Sequence, residues 1–305
     1  GQQQLAPVTQ RPLLTLRPFF SGGRAAQDSF MQDVVELYPG SGQTHALQGL
    51  YLGQIPEHPR SAQDPFIYSN FISSLDGRIA VPGPDRNTHQ VPDAIANPRD
   101  WRLFQELAAQ ADLLITSARY FRQAAEQEVQ AELPVGSGPE FDDLRAWRVR
   151  QGLSPQPDIA VFSASLDIPV ESIRLYEDIT LYLITGAMAD TEKLRQLLDG
   201  SHAQAVTCGH DGHVDASMLR ATLAELGYRR VYAIAGPAVL HTLIQGNALD
   251  RLYHTTAHCL LGGTRFDTFV RGAPLEPAFR MPLRAMYFDP HAPEGAGQTL
   301  AVYER

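Results

Sequence analysis

The chain has 305 residues, of which 44% are hydrophobic and 19% charged, and this balance excludes a fibrous repeat and a wholly disordered chain. The net charge of −9 disfavours a nucleic-acid backbone as the main partner, and no apolar run approaches the ~18 residues of a membrane-spanning helix. The two cysteines, Cys208 and Cys259, cannot form a disulfide framework. We therefore expect a reducing, cytoplasmic location and no membrane partner.

The first 62 residues differ in composition from the rest of the chain, because they are rich in Gln, Gly, Pro and Ser. Helical spacing predicts one helix over residues 25–37, and a Tyr-Pro-Gly turn ends it. We predict an N-terminal extension over residues 1–62 that packs partly on a single main domain over residues 63–305.

From residue 65 onward, strand-like and helical patterns alternate, which predicts an α/β fold with a largely parallel sheet. The predicted strands cover residues 66–72, 112–116, 158–162, 179–185, 206–208, 231–234 and 252–261. The predicted helices begin near Asn97, Phe141, Asp215 and Pro237. Strands near residues 286–288 and 299–303 predict an antiparallel C-terminal hairpin at one edge of the sheet.

The first candidate site lies where a predicted strand ends at Gly236-Pro237 and a helix begins. Pro237 suits the first helical position, and Gly236 lets a ligand approach the backbone because it has no Cβ. Free N–H groups of Ala238, Val239 and Leu240, together with the helix dipole, favour an anion such as a pyrophosphate. The alternative is that Gly-Pro makes only a tight turn between strand and helix.

The second candidate site lies at the end of the strand that leads into Asp76-Gly77. An Asp-Gly pair often makes only a turn, but open α/β sheets bind ligands at the carboxyl ends of their parallel strands. We therefore predict that Asn70 and Ser74 contact a planar heterocycle and that Asp76 polarises or protonates it. No metal site is predicted, since His210 and His213 share a short turn without a third ligand.

Several segments recur in an order and spacing typical of one family. They are NFISSLDGRIA at 70–80, DWRLF at 100–104, ADLLI at 111–115, Gly236-Pro237, LDRL at 249–252 and Gly262-Gly263. From about residue 65 to the end, the chain resembles the reductase domain of the bifunctional riboflavin-biosynthesis deaminase/reductase, within the dihydrofolate-reductase-like superfamily. The HxE…PCxxC zinc signature of the deaminase half is not found in this sequence.

The resemblance implies a dihydrofolate-reductase-like fold, in which helices flank a mostly parallel central sheet. It implies an NADPH-dependent reductase, usually a homodimer, that transfers hydride to the opened sugar of a ribosylamino-pyrimidine phosphate. The cofactor would bind at Gly236–Leu240 and at Gly263. Thr185 would touch the cofactor or cap the following helix, and Arg119, with Arg122, would hold its 2′-phosphate or lie in an exposed first helical turn.

The chain departs from the family pattern at substrate positions. Ile234 replaces the usual acidic residue before Gly-Gly-Pro, Tyr120 replaces a usual Thr, and Ala108 replaces a helix arginine. We predict that Ile234 and Tyr120 line the substrate site and make the riboflavin-pathway compound a poor substrate, because Ile234 cannot accept a hydrogen bond. The alternatives are reduction of another pyrimidine- or pterin-like compound, and nucleotide binding without turnover.

Overall fold

The computed structural model describes residues 28–40, 42–56, 64–84, 89–125, 134–292 and 295–305. Its strands are β1 (Asp33–Tyr38), β2 (Thr44–Ala46), β3 (Phe66–Ser74), β4 (Val81–Pro82), β5 (His89–Gln90), β6 (Leu113–Ser117), β7 (Asp158–Phe162), β8 (Leu181–Thr185), β9 (Gln204–Thr207), β10 (Arg230–Ala233), β11 (Arg251–Ala257), β12 (Leu283–Asp289) and β13 (Gln298–Glu304). Its helices are α1 (Pro98–Gln110), α2 (Ala118–Ala125), α3 (Asp142–Arg150), α4 (Val170–Arg174), α5 (Thr191–Asp199), α6 (Leu219–Glu225) and α7 (Pro237–Gln245). Within these ranges, no helix is long and apolar enough to cross a lipid bilayer.

Eleven of these strands form one sheet in the order β2-β1-β12-β13-β11-β3-β10-β6-β7-β8-β9. The strands from β11 to β9 in this order run parallel to one another. β12 and β13 form the predicted antiparallel C-terminal hairpin. The predicted α/β fold with a mostly parallel sheet is therefore confirmed.

Two predictions about the other end of the sheet are wrong. Only residues 28–30 of the predicted helix are helical in the described chain, and Asp33–Tyr38 is strand β1. β1 pairs antiparallel with β12, with Val35 opposite Phe288, and the neighbouring Val34 is fully buried. Because β1 and β2 lie outside β12, the C-terminal hairpin is not the edge of the sheet.

Alternating side chains along the strands divide the core between the two faces of the sheet. Tyr68 and Tyr232 pack on Leu107 of α1. Their neighbours Ile67 and Val231 point the other way and pack on the face that α6 and α7 cover. Helices therefore cover both faces, and the carboxyl ends of the parallel strands meet at one edge.

Two of the predicted helix starts are found at that edge. Asn97 caps α1 through its side chain, and Gly236-Pro237 opens α7. The helix predicted from Asp215 instead begins at Leu219, because the Asp215 carboxylate holds a preceding turn through hydrogen bonds.

A buried ion-pair network attaches the segment before β3 to α1. Arg102 Nε lies 2.9 Å from Glu106 Oε1, with both side chains fully buried, and Arg102 also pairs with Asp143 of α3. The Glu106 carboxylate accepts hydrogen bonds from the N–H groups of Gly49 and Tyr51, at 2.5 and 2.9 Å. The network therefore fixes this segment beside the sheet edge described next.

Candidate active site

β3 is longer than its neighbour β10 and extends past it at the carboxyl edge of the sheet. Ser69 is in register with Ala233, where β10 ends, so residues 70–74 continue beyond that point. Asn70 accepts a hydrogen bond from the Tyr232 hydroxyl through its Oδ1 atom. This bond fixes the predicted substrate residue Asn70 at the strand end, beside the chain that leads to α7.

Asp76 follows β3 and is bonded to the loop after β11. Its carboxylate accepts hydrogen bonds from the Ser74 hydroxyl at 2.5 Å and from the N–H groups of Leu261 and Gly262 at 3.2 and 2.8 Å. Arg78 Nε lies 3.4 Å from the same carboxylate. The structure thus brings Ser74 and Asp76 together in one turn that holds the glycine loop.

These contacts favour the ionised form of the Asp76 carboxyl group. The hydrogen bonds from Ser74 and Gly262, with smaller effects of Leu261 and Arg78, lower the pKa of Asp76 to about 2. A carboxylate that is ionised at neutral pH and fully hydrogen-bonded has no proton to donate. The geometry therefore supports a role for Asp76 in positioning the loop and does not support the predicted role in protonating a substrate.

The N-terminus of α7 is open, but it offers fewer free donors than predicted. The N–H groups of Val239 and Leu240 donate to the Gly236 carbonyl at 3.1 and 3.3 Å, because the first helical turn closes on itself. No side chain caps the helix, and a Cβ added at Gly236 would meet no atom within 4 Å. An anion can therefore approach the N–H groups of Gly236 and Ala238, beside Pro237, which has none.

Thr185 lies farther along the same edge. It ends β8, three strands from β10 in the sheet, a distance of roughly 15 Å at ordinary strand spacing. Thr185 is buried, and its carbonyl accepts the N–H of Cys208 at 2.7 Å. The alternative that Thr185 caps the next helix is wrong, because the Asp190 side chain caps α5.

Two other predicted cofactor residues are exposed near this edge. Arg119 lies in the first turn of α2, where its guanidinium is 3.4 Å from the His89 carbonyl. Gly263 has a φ of 80°, and its carbonyl accepts from Arg78 at 3.3 Å. A surface pocket of about 370 Å³ lies between Val81-Pro82 and residues 261–265.

The two positions that depart from the family pattern lie in different parts of the core. Ile234 is partly exposed and packs on the cluster beneath α1. Tyr120 packs instead with the cluster beneath α2 and α4, its ring 6.0 Å from that of Phe121, and burial raises its pKa. The structure therefore brings Ile234 to the edge near Asn70 and does not bring Tyr120 there.

Sequence reasoning missed Asp100, which lies in the first turn of α1 on the same face of the sheet as Asn70. Burial raises the pKa of Asp100 to about 6, and a hydrogen bond from Thr255 opposes that rise. Nearby, the rings of Trp101 and Phe104 stack on each other with centroids 4.8 Å apart, and both side chains are partly exposed. The DWRLF segment, which contains Asp100, Trp101 and Phe104, is visible in the sequence. The half-burial of Asp100 is visible only in the structure, where Asp100 lies beside Thr255 of β11.

The comparisons with known proteins concern both sequence and fold. The family defined by the RibD C-terminal domain matches residues 65–284. No curated protein sequence matches the chain significantly. A pyrimidine reductase-like protein from Corynebacterium diphtheriae superimposes with a TM-score of 0.58 and 16% identity, over 85% of this chain and 98% of that one.

Two longer proteins share the fold. RibD from Acinetobacter baumannii has a TM-score of 0.52 and 15% identity, over 80% of this chain and 58% of that one. The diaminohydroxyphosphoribosylaminopyrimidine deaminase/5-amino-6-(5-phosphoribosylamino)uracil reductase from Thermotoga maritima has a TM-score of 0.50 and 12% identity, over 79% of this chain and 57% of that one. This chain thus spans little more than half of either protein. With its family match over residues 65–284, the chain belongs to the RibD C-terminal domain family.

Proposed function

We propose that the chain is an NADPH-dependent reductase that transfers hydride to a pyrimidine- or pterin-like small molecule. It would resemble the 5-amino-6-(5-phosphoribosylamino)uracil reductase of riboflavin biosynthesis. Membership of the family supports an oxidoreductase. The observation that carries the proposal is the open, uncapped N-terminus of α7 beside the polar end of β3.

The residues at this edge fit a dinucleotide. Gly236 and Ala238 offer backbone N–H groups to a pyrophosphate, and the helix dipole of α7 favours its negative charge. Arg119 supplies an exposed cation for a 2′-phosphate. Thr185 lies at the same edge of the sheet, farther from β10, and would contact another part of the cofactor. NADPH, when bound, supplies the hydride, and the chain supplies orientation and the exclusion of water.

The substrate side of the proposed site lies between Asn70, Ile234 and α1. Asn70 is held by Tyr232 and can orient a polar ring edge. Trp101 and Phe104 stack on each other, and the outer face of this partly exposed pair could extend the stack to a planar ring. Asp100, with a pKa near 6, replaces Asp76 as the titratable group of this side.

A second candidate function is nucleotide binding without turnover. Ile234 favours it, because an apolar side chain stands where related enzymes have an acidic residue.

A homodimer and a cytoplasmic location complete the proposal. Light scattering of the purified protein measures its mass in solution, and a homodimer should have twice the mass of one chain.

Thermal unfolding with and without NADPH tests the cofactor site. At about 100-fold excess over Kd, binding should stabilise the protein by roughly 2.7 kcal/mol. Gly236→Asp should abolish the shift and leave the fold intact, because aspartate is a good N-cap that would occupy the free N–H groups and repel phosphate. The control is Gly212→Asp, at another glycine whose added Cβ meets nothing within 4 Å. If neither NADPH nor NADH shifts the wild type, the reductase proposal fails.

The role of Ile234 is tested with the riboflavin-pathway ribosylamino-pyrimidine phosphate, by following NADPH absorbance. We expect a kcat/KM at least about tenfold below that of a Glu-bearing relative, the scale of one lost hydrogen bond. Ile234→Glu should raise it. Wild-type turnover at the relative's rate, with no gain in the variant, would contradict the expectation.

A further inference from the structure

One face of the sheet is partly exposed where β1, β12 and β13 lie side by side. Val35 of β1 is paired with Phe288 of β12, and Phe288 is paired with Thr299 of β13. Directly paired residues share a face of the sheet. These side chains therefore point away from Val34, the neighbour of Val35, which is fully buried in the core beneath α1.

The side chains on this face are apolar and aromatic. Tyr38 is paired with Met286, and Leu37 lies in the bulge just before Tyr38; they are 45% and 48% exposed. Tyr303 shares the face because it is two pairs along β13 from Thr299. We call this surface the outer face, and it is formed by Val35, Leu37, Tyr38, Met286, Phe288 and Tyr303. Among the described residues, these six belong to none of the buried hydrophobic clusters.

The composition of the outer face suits contact with a second copy of the chain. A net charge of −9 makes two copies repel each other, so contact is least opposed where charged side chains are few. None of the six side chains carries a charge, and Asp33, at the start of β1, stands at the margin of the face. Aromatic residues and Met are also enriched at the centres of protein interfaces, where charged residues are depleted.

The dimensions of the outer face also suit a dimer. At ordinary spacing, the four strands from β2 to β13 span about 19 Å, and the seven residues of β12 or β13 extend about 24 Å. With the relief of the side chains, this surface is of the same order as the ~800 Å² that each partner buries in a standard interface. Two such faces can pack at about 10 Å, as stacked sheets do.

We propose that two copies of the chain form a dimer by packing their outer faces together, sheet against sheet, about a two-fold axis. The same patch then serves both copies. This inference rests on the homodimer of the proposed function and identifies its interface. β1 supplies part of the outer face and lies outside residues 65–284, the part of the chain that matches the family.

The outer face lies behind contacts that hold the start of α1. Asp289 follows Phe288 and points to the opposite face, where its carboxylate accepts hydrogen bonds from Arg99 Nε at 2.8 Å and from Gln298 Nε2 at 2.9 Å. Gln298 accepts a hydrogen bond from Asn97, the N-cap of α1, at 2.8 Å. Packing of the outer faces therefore restrains the two strands that position α1 beside the proposed substrate side.

Sedimentation velocity at several protein concentrations measures the mass and the dissociation constant of the dimer. We expect a wild-type dimer. Met286→Glu should raise its dissociation constant at least about a hundredfold, because the interface would bury two carboxylates without partners. The control is Met188→Glu, at a methionine that is 76% exposed beside β8 near the other end of the sheet, and it should leave the constant unchanged.

Leu37→Asp provides a second variant, because its exposed position in the single chain makes it compatible with folding. It should weaken the dimer as Met286→Glu does, with a circular dichroism spectrum like that of the wild type. A wild type with the mass of one chain, a dimer that Leu37→Asp leaves intact, or equal weakening by Met188→Glu would each overturn the inference. NADPH binding is measured separately by Tm, so a monomer that binds NADPH would refute this interface and not the reductase proposal.

Discussion

Near the carboxyl edge of the sheet, the pKa of Asp76 is lowered and that of Asp100 is raised, and their surroundings explain the difference. Asp76 is exposed enough to be solvated and accepts several hydrogen bonds, so its pKa falls to about 2. Burial raises the pKa of Asp100 to about 6, because the hydrogen bond from Thr255 only partly offsets the loss of solvation. Of these two carboxyl groups, Asp100 is the one that can change its charge near neutral pH.

Asp100 should make stability depend on pH. Its folded pKa lies above the unfolded value, so the folded state binds more protons between about pH 4 and pH 6, and stability falls as pH rises through this window. Asp100→Asn should therefore stabilise the protein at pH 7, by on the order of 3 kcal/mol. The gain should shrink toward pH 4. Urea unfolding at both pH values measures this, and a variant less stable than the wild type at pH 7 would contradict the assignment.

Asp76 should hold the glycine loop. In Asp76→Asn, one carboxylate oxygen becomes an amide donor, so the N–H groups of Leu261 and Gly262 cannot both keep their acceptor. Hydrogen exchange of these two amides should become faster. Because the pKa is lowered to about 2, wild-type protection should persist at mildly acidic pH and be lost only toward pH 2. The comparison is Asp211→Asn, in a separate exposed turn, and unchanged exchange in Asp76→Asn would refute the role.

At the scale of elements, the local sequence predicted the alternating strands and helices well, but it predicted the pairing and order of the strands less well. The strand at 158–162 and the helix after Gly236 are found as predicted, because continuous apolar runs and Gly-Pro are local signals. Asp33–Tyr38 was predicted as helix and is strand β1, because pairing with β12, some 250 residues away in sequence, outweighs local helical spacing.

The candidate site shows the same division. Asn70 and Gly236 could be predicted, since strand ends and helix starts are visible in the sequence. The half-burial of Asp100 depends on Thr255 and on the segment around Tyr51, both distant in sequence, so no local pattern reveals it. Tyr120 was assigned from its place in a motif, but the direction of its side chain is set by packing against Phe121.

The attachment of the segment before β3 to α1 should depend on Glu106. Glu106→Gln leaves the buried Arg102 without its partner inside α1 and offers one acceptor oxygen for the two backbone N–H groups. Breaking a buried pair costs about 3 kcal/mol or more. The control is Glu192→Gln, which breaks the exposed pair with Arg195 in α5 and should change stability by under about 1 kcal/mol. If Glu106→Gln and Glu192→Gln lowered the free energy of unfolding in urea by similar amounts, the role of the buried ion-pair network would be contradicted.

At the scale of the whole molecule, the described part of the segment before residue 63, residues 28–40 and 42–56, belongs to the sheet and its core. β1 and β2 extend the sheet, and the buried side chains of this segment are Phe30, Val34, Leu47, Tyr51 and Ile55. Burial of each side chain contributes roughly 1.5–3 kcal/mol before the entropy cost of ordering the chain is subtracted, so loss of all five would remove a substantial part of the core. We therefore propose that residues 28–56 unfold together with the main domain, as the predicted packing of the N-terminal extension on that domain implies.

A chain that begins at residue 63 should consequently lose cooperative unfolding or aggregate, because it exposes the β12 edge and the uncovered core. A chain that begins at residue 28 keeps all the contacts described above and serves as the comparison. Circular dichroism during thermal unfolding compares them. If the chain that begins at residue 63 had the Tm of the wild type, the main domain would fold independently of the preceding segment.

The central claim is that the open start of α7 and the end of β3 form one reductase site. A crystal structure of the protein with NADPH tests it most directly. The account predicts the pyrophosphate at the N–H groups of Gly236 and Ala238, with the nicotinamide on the side of Asn70 and Asp100. NADPH bound elsewhere on the molecule, or a nicotinamide directed away from the end of β3, would contradict it.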